Sequence, residues 1–307
     1  MTCSVRENSE LIIRNIKSVV VAPDETIRLA VLGLLGQGHV LVDDFPGVGK
    51  TLLAKSLAGS IRATFKRIQF TPDLLPTDIT GGEIYDQRAG RFNFFAGPVF
   101  GNIILADEIN RATPRTQSAL LEAMGERQVS CDGVIRPLPE LFFVIATQNQ
   151  VEFESTFPLP YAQLDRFMLS LNLGYPGLGG EVQILERNRY GEPSVEPVAT
   201  VEEVVELHRQ VCQVEVSRPV MEYIARIVQE TRSHPDILTC ISPRGSVALL
   251  RAAQCQATMN ERNYVTPDDV KVVAEPVMRH RLIFRSSHSD GLAAFIGTIL
   301  DSVLVPL

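Results

Sequence analysis

The sequence predicts an α/β region, built on a parallel sheet with helices on both faces, followed by a small all-α helical domain. Three observations carry this expectation. Four strand-length apolar runs, at 39–42, 65–70, 102–106 and 141–147, alternate with helix-patterned stretches, and each ends in polar residues. Such continuous runs mark strands buried on both faces, and polar groups at their carboxyl ends lie where open α/β sheets bind ligands. Past about residue 198 the alternation stops and helix-start signals take over. The chain's 307 residues also exceed the ~250 at which one core stops growing, which fits two domains, 1–197 and 198–307.

Taken in order, the run at 39–42 feeds a glycine-rich loop, and the run at 65–70 precedes a TPDLLP turn. A hairpin is expected between Asp86 and Asn93, around Gly90. The run at 102–106 ends in two acids. A second hairpin is expected where Asp132-Gly133 separates QVSC from VIRPL, and the run at 141–147 ends in QNQ. The first domain closes near GYPGLGG at 174–180, followed by a last helix and the turn-rich GEPSVEP. Helix starts are then marked by Thr200 with Glu203, by Ser242 before Pro243, and by Thr266 before Pro267 with Asp269.

Composition narrows the function. Hydrophobic residues make up 45% and charged residues 21%, a globular balance that excludes disorder. The opening MTCSVRENSE is too charged for a signal peptide, and no run is long and apolar enough to span a membrane. Cys3, Cys131, Cys212, Cys240 and Cys255 are scattered, which fits a reducing cytoplasm. His39, His208, His234, His280 and His288 show no metal-ligand spacing, so no structural zinc is expected. A net charge of −7 argues against a large nucleic-acid footprint.

The segment Phe45-Pro46-Gly47-Val48-Gly49-Lys50-Thr51 lies between an apolar strand and the helix-forming LLAKSLAG. Small residues let successive N–H groups converge on phosphate oxygens, with Lys50 on the terminal phosphates and the Thr51 hydroxyl on Mg²⁺. The helix beginning here, with Leu52, adds its dipole. Asp44 stands where the strict pattern has glycine, and the loop alone also fits a chance glycine turn. Asp107 and Glu108 end an apolar strand, where paired carboxylates are costly unless they face a cleft. Asp107 would orient Mg²⁺, and Glu108 would act as general base towards water. By itself the pair also fits a helix N-terminal acid pair.

Asn149, just past the FFVIAT strand, would align the same water, although an asparagine there is also an ordinary turn residue. Arg166 in AQLDRF fits an arginine finger or a surface arginine. Arg244 stands in the first turn of a helix, where the dipole disfavours a cation; reaching a phosphate across a domain cleft, or simple solvation, would relieve that conflict.

The strings VLVDDFPGVGKT, NIILADEINRATPRTQSALLEAMGERQV, FFVIATQNQVEFESTFPLPYAQLDRF and SPRGSVALLRAA resemble the MoxR family of AAA+ ATPases. The resemblance implies an AAA+ core and helical lid that bind ATP and Mg²⁺. Pro46 to Leu52 match Walker A and Asp107 with Glu108 match Walker B, Asn149 is sensor 1, and Arg166 is the finger given to a neighbour. Arg244 is sensor 2, acting within its own subunit, and Val21 and Ala22 match the adenine-contacting backbone. It further implies a homo-oligomer, usually a hexamer, whose two hairpins face the ring pore. Partner proteins carrying von Willebrand factor A domains are implied, with chaperone-like maturation or metal insertion as the output. Gln150 and Tyr161 depart from the usual proline and glutamate. Two other readings stay open: an assembly scaffold that binds ATP with little turnover, and a nucleic-acid or chelatase-type motor subunit.

Overall fold

The computed structural model describes residues 5–88, 90–131, 133–149, 156–189, 191, 193–285 and 291–306; Cys3, Asp132, Gln150 and His288 lie outside the described residues. The chain opens with α1 (Val5–Lys17) and α2 (Asp24–Leu35). On α1 the buried residues are Val5, Ser9, Ile12, Ile13 and Ile16, the spacing that puts one stripe of a helix against a core.

The α/β region follows: β1 (Val40–Asp43), α3 (Lys50–Ser60), β2 (Phe65–Gln69), α4 (Pro76–Thr80), the hairpin β3 (Gly81–Asp86) with β4 (Arg91–Ala96), β5 (Ile103–Asp107), α5 (Pro114–Glu126), the hairpin β6 (Gln128–Cys131) with β7 (Val134–Pro137), β8 (Phe143–Gln148), α6 (Tyr161–Leu164), β9 (Leu169–Leu171) and α7 (Leu178–Asn188). Strands β2, β5, β8, β1 and β9 pair in that order, all parallel. All four expected runs form strands of this sheet, and both expected hairpins form.

Side chains alternate between two hydrophobic clusters. Val40, Val42, Ile103, Leu105, Phe143 and Ile145 join one, while Leu41, Ile104, Ala106, Phe142, Val144 and Ala146 join the other. Both faces of β1, β5 and β8 are therefore covered, and this is why those three read as apolar runs, whereas edge strand β2 carries the exposed Lys66, Arg67 and Gln69. Truncating Phe143, which is fully buried, to alanine is expected to cost about 3–5 kcal/mol.

His39 fixes the start of β1. Its Nδ1 accepts the Val144 N–H at 3.1 Å and its Nε2 faces the Met124 carbonyl at 3.3 Å, so the ring is neutral with Nε2 as donor. Burial pushes its pKa down to about 4.

The C-terminal region holds α8 (Val201–Cys212), α9 (Arg218–Ser233), β10 (Ile237–Thr239), α10 (Pro243–Met259), α11 (Pro267–Met278), β11 (Ile283–Phe284) and α12 (Gly291–Ser302). Capping boxes at Thr200/Glu203 and Thr266/Asp269 start α8 and α11, and Ser242 caps α10 by accepting the Gly245 N–H. The region is helical as expected, with one addition: β10 and β11 form a short antiparallel pair. Two or three residues are too few for an alternating pattern to show. The same brevity hid β9.

Candidate active site

Strands β5, β8 and β1 are neighbours in the sheet. Parallel strands lie about 4.8 Å apart, so their carboxyl ends bring Asp107, Asn149 and the glycine loop side by side. Gly47 and Gly49 have φ of +82° and +93°, and a Cβ on either would meet nothing within 4 Å. Those two backbones therefore face open space, the cradle that phosphate oxygens need. Val48 and Leu52 anchor the loop by packing on the core, while Pro46 is exposed.

Helix α3 starts at Lys50 without a side-chain cap, so its first N–H groups, Thr51 among them, remain for an anion. The Lys50 ammonium donates to the Asp44 carbonyl at 2.8 Å. Burial lowers the Lys50 pKa most, opposed by the charges of Asp44, Asp107, Asp43 and Glu108.

Thr147 joins two motifs: its hydroxyl donates to Asp107 Oδ1 at 2.7 Å and accepts the Glu108 N–H at 2.8 Å. Asp107 Oδ2 also accepts from Arg67 at 2.6 Å, and Glu108 Oε2 accepts from Gln69 and Arg111, each at 2.9 Å. Glu108 is held at φ 58°, ψ 49°, a left-handed conformation that a glutamate adopts only when its surroundings enforce it. Asn149 is buried and lines a cavity of ≈480 Å³ with Asp43, Gln148 and Tyr161. The carboxylates, the open glycine backbones and the lysine fit a magnesium nucleotide.

Arg166 and Arg244 stand elsewhere. Arg166 precedes β9, whose first residue, Leu169, lies beside Val40 at the start of β1; the glycine loop leaves β1 past Asp43. Those two ends of β1 are separated by roughly 10 Å, at ~3.3 Å per residue. Arg244 shares the Arg166 end. The α10 cap Ser242 donates to Asp165 Oδ2 at 2.6 Å, and buried Arg281 donates to Asp165 Oδ1 at 2.8 Å. Asp165 thus stitches the two regions together beside Arg166.

There a cavity of ≈380 Å³ is lined by five arginines, Arg127, Arg166, Arg244, Arg251 and Arg281, with Asp165 as its acidic residue. No loop residue from 44 to 51 lines it. Burial keeps His208, also in the lining, below its ordinary pKa, so it adds no charge at neutral pH. α10 docks on the 165–166 turn, so Arg244 lines this cavity and not the glycine loop of its own chain. Arg166 donates to the Leu121 carbonyl, and a Cβ on Gly125 would stand 2.4 Å from its Nη1, so Gly125 makes room for the guanidinium.

Sequence reasoning missed several members of the site. Thr147 and Gln69 carry no motif of their own. Fully buried Gln117 donates from one amide to the Ile109, Ala112 and Phe157 carbonyls and fixes the turn after Glu108. Asp44, noted only as a departure, is buried; its carboxylate accepts the Phe45, Leu173 and Gly174 N–H groups at 2.9, 2.5 and 2.7 Å. Three backbone donors on one carboxylate are a signal only the fold can give.

A family profile described as ATPase family associated with various cellular activities (AAA) matches residues 39–169, and one described as AAA lid domain matches 229–299. The chain is 46% identical to the uncharacterised protein YeaC of Bacillus subtilis, over 96% of this chain and 94% of that one. It is 41% identical to chaperone MoxR1 of Mycobacterium tuberculosis, over 97% and 82%, and 28% identical to protein MoxR of Methylorubrum extorquens, over 94% and 92%. Among solved structures, an ATPase candidate from Cytophaga hutchinsonii superposes with a TM-score of 0.90 at 37% identity, covering 99% of this chain and 96% of that one.

Proposed function

The chain belongs to the MoxR family of AAA ATPases and is an ATP hydrolase, and we propose that each of its catalytic sites is completed by a neighbouring copy in a ring. The observation that carries this is the separation of the two halves. The phosphate-holding groups sit at one end of the sheet and the five-arginine cavity at the other, with β1 between them. In this reading the arginines, placed away from their own chain's glycine loop, serve a second copy's nucleotide.

In this reading the backbone N–H groups of Gly47 to Leu52 and the Lys50 ammonium hold the phosphates. Thr51 and Asp107 hold Mg²⁺, which when bound neutralises phosphate charge. Glu108 takes the proton from a water that Asn149 orients. Arg166 and Arg244 of the neighbour meet the charge that develops on the transferred group, where one such finger is worth ~10³–10⁵ in rate. Val21 contributes to the base side. The division into a core, 1–197, and a lid, 198–307, lets hydrolysis move one against the other.

The name of MoxR1 supports chaperone-like work on client proteins. A hexamer, a partner with a von Willebrand factor A domain, metal insertion as the alternative output, and a cytoplasmic location complete the proposal; no described helix is long and apolar enough to cross a membrane. Steady-state hydrolysis measured against protein concentration tests it. Specific activity should rise with concentration and vanish in Lys50→Ala and Glu108→Gln. Activity independent of concentration would mean a complete site in each chain, and turnover retained in Glu108→Gln would remove that residue as base.

A further inference from the structure

Phe45 and Tyr175 stack against each other, with ring centroids 5.3 Å apart and planes 26° apart, at the entrance of the glycine loop. Both are exposed, Phe45 at 43% and Tyr175 at 66%. Two large aromatic faces thus lie open to water beside the phosphate cradle, within reach of a planar ligand group.

Their placement is built, not incidental. Buried Asp44 accepts the N–H of Phe45 on one side and those of Leu173 and Gly174 on the other. One carboxylate thus locks the loop that carries Phe45 to the turn that carries Tyr175. The same segment continues into the remaining wall: a Cβ on Gly180 would stand 2.8 Å from Pro176 Cβ and 3.2 Å from Val21 Cγ1. Three stretches of chain, at 21, 45 and 175–180, therefore converge here.

We propose that Phe45 and Tyr175, held by Asp44, form the wall on which the base of the bound nucleotide stacks. The proposal rests on the ATPase reading and deepens it on the base side. The rings are too close together to admit a base between them, so it lies on an outer face of the pair. Stacking accepts any base, so the pair supplies affinity, and hydrogen bonds from the backbone near Val21 would supply selectivity. It also gives the departure at Asp44 a purpose, since a glycine there cannot bind Leu173 and Gly174.

The test is calorimetric binding of ATP and of inorganic tripolyphosphate, which has no base, to the full chain, together with KM and kcat. Tyr175→Ala should weaken ATP binding and raise KM by about 5- to 150-fold, the range for losing one base–aromatic stack. It should leave kcat at saturating ATP and tripolyphosphate binding unchanged. Tyr175→Phe should behave as wild type, and Asp44→Gly should raise KM by a smaller factor. Unchanged ATP affinity in Tyr175→Ala overturns the proposal while leaving the ATPase reading intact. A parallel loss of tripolyphosphate binding also overturns it, because the residue would then hold the loop and not the base. A wild type that binds neither compound removes the ATPase reading and the proposal together.

Discussion

The two ends of the central sheet have opposite chemistry. At the carboxyl end, Asp43, Asp44, Asp107 and Glu108 act on Lys50 beside open backbone N–H groups, with Arg67 and Arg111 paired to Asp107 and Glu108; at the other, five arginines line one cavity around one aspartate. The first end is built to hold a metal-bound anion and the second to receive negative charge. On the proposed reading neither is complete alone, and a chain that carries both halves of a site facing apart would assemble head to tail, the heterologous arrangement that closes into rings. The difference between the ends thus says more about the working state than either motif does.

Breaking the basic end should have the largest effect. In the assembled protein, Arg166→Ala should lower kcat by ~10³–10⁵, about 4–7 kcal/mol of barrier, without dissociating the assembly. A loss below tenfold would mean that Arg166 does not meet the neighbour's phosphates.

Next is the junction that holds the basic end together. Asp165→Ala removes the carboxylate from Arg281, whose side chain is only 3% exposed. Leaving that charge buried should cost about 3–5 kcal/mol in urea unfolding. A cost under ~1 kcal/mol would show that the Phe167 and Met168 carbonyls suffice to hold Arg281.

Acid should weaken the same end through His39, whose carbonyl accepts the Met168 N–H at 2.7 Å. Its folded pKa of about 4 lies below the ordinary 6.5, so the unfolded chain takes up the proton first. Its contribution is complete above pH 6.5 and falls by roughly 3 kcal/mol as pH drops through that window towards 4. Comparing wild type with His39→Gln across this range isolates the effect, and identical pH slopes would refute it.

Arg244 sharpens the comparison most finely. Arg244→Ala should lower kcat by on the order of 10²-fold, the scale for one preorganised donor. ATP binding to the dilute, unassembled chain should not change. Weaker binding there would return Arg244 to its own subunit.

The phosphate end was legible in the sequence because its chemistry lies in short contiguous strings: a loop between strand and helix, and acids at the end of an apolar run. The sheet was legible for the same reason, since burial on both faces writes itself as unbroken runs at 102–106 and 141–147. Three-residue β9 lacks the length to leave such a mark. The basic end was not legible, because it is assembled from the turns after α2 and α5, the 165–166 turn, α8, α10 and Arg281, which are far apart in sequence. Arg244 itself was found, but where it sits depends on how α10 docks, and the contact between Ser242 and Asp165 puts that helix beside the 165–166 turn. Asp44 was visible only as a departure; its purpose required knowing that residues 173–174 return beside it.

The most direct test of shared sites is complementation. Lys50→Ala keeps its arginines and loses the phosphate half, whereas the double variant Arg166→Ala with Arg244→Ala keeps the phosphate half and loses the arginines. Each should be inactive alone. Mixed at a concentration where wild type is assembled, with co-assembly checked by pull-down of a tag on one variant, they should recover ATP hydrolysis well above the sum of the two. A co-assembled mixture that stays at that sum would contradict sites built between copies.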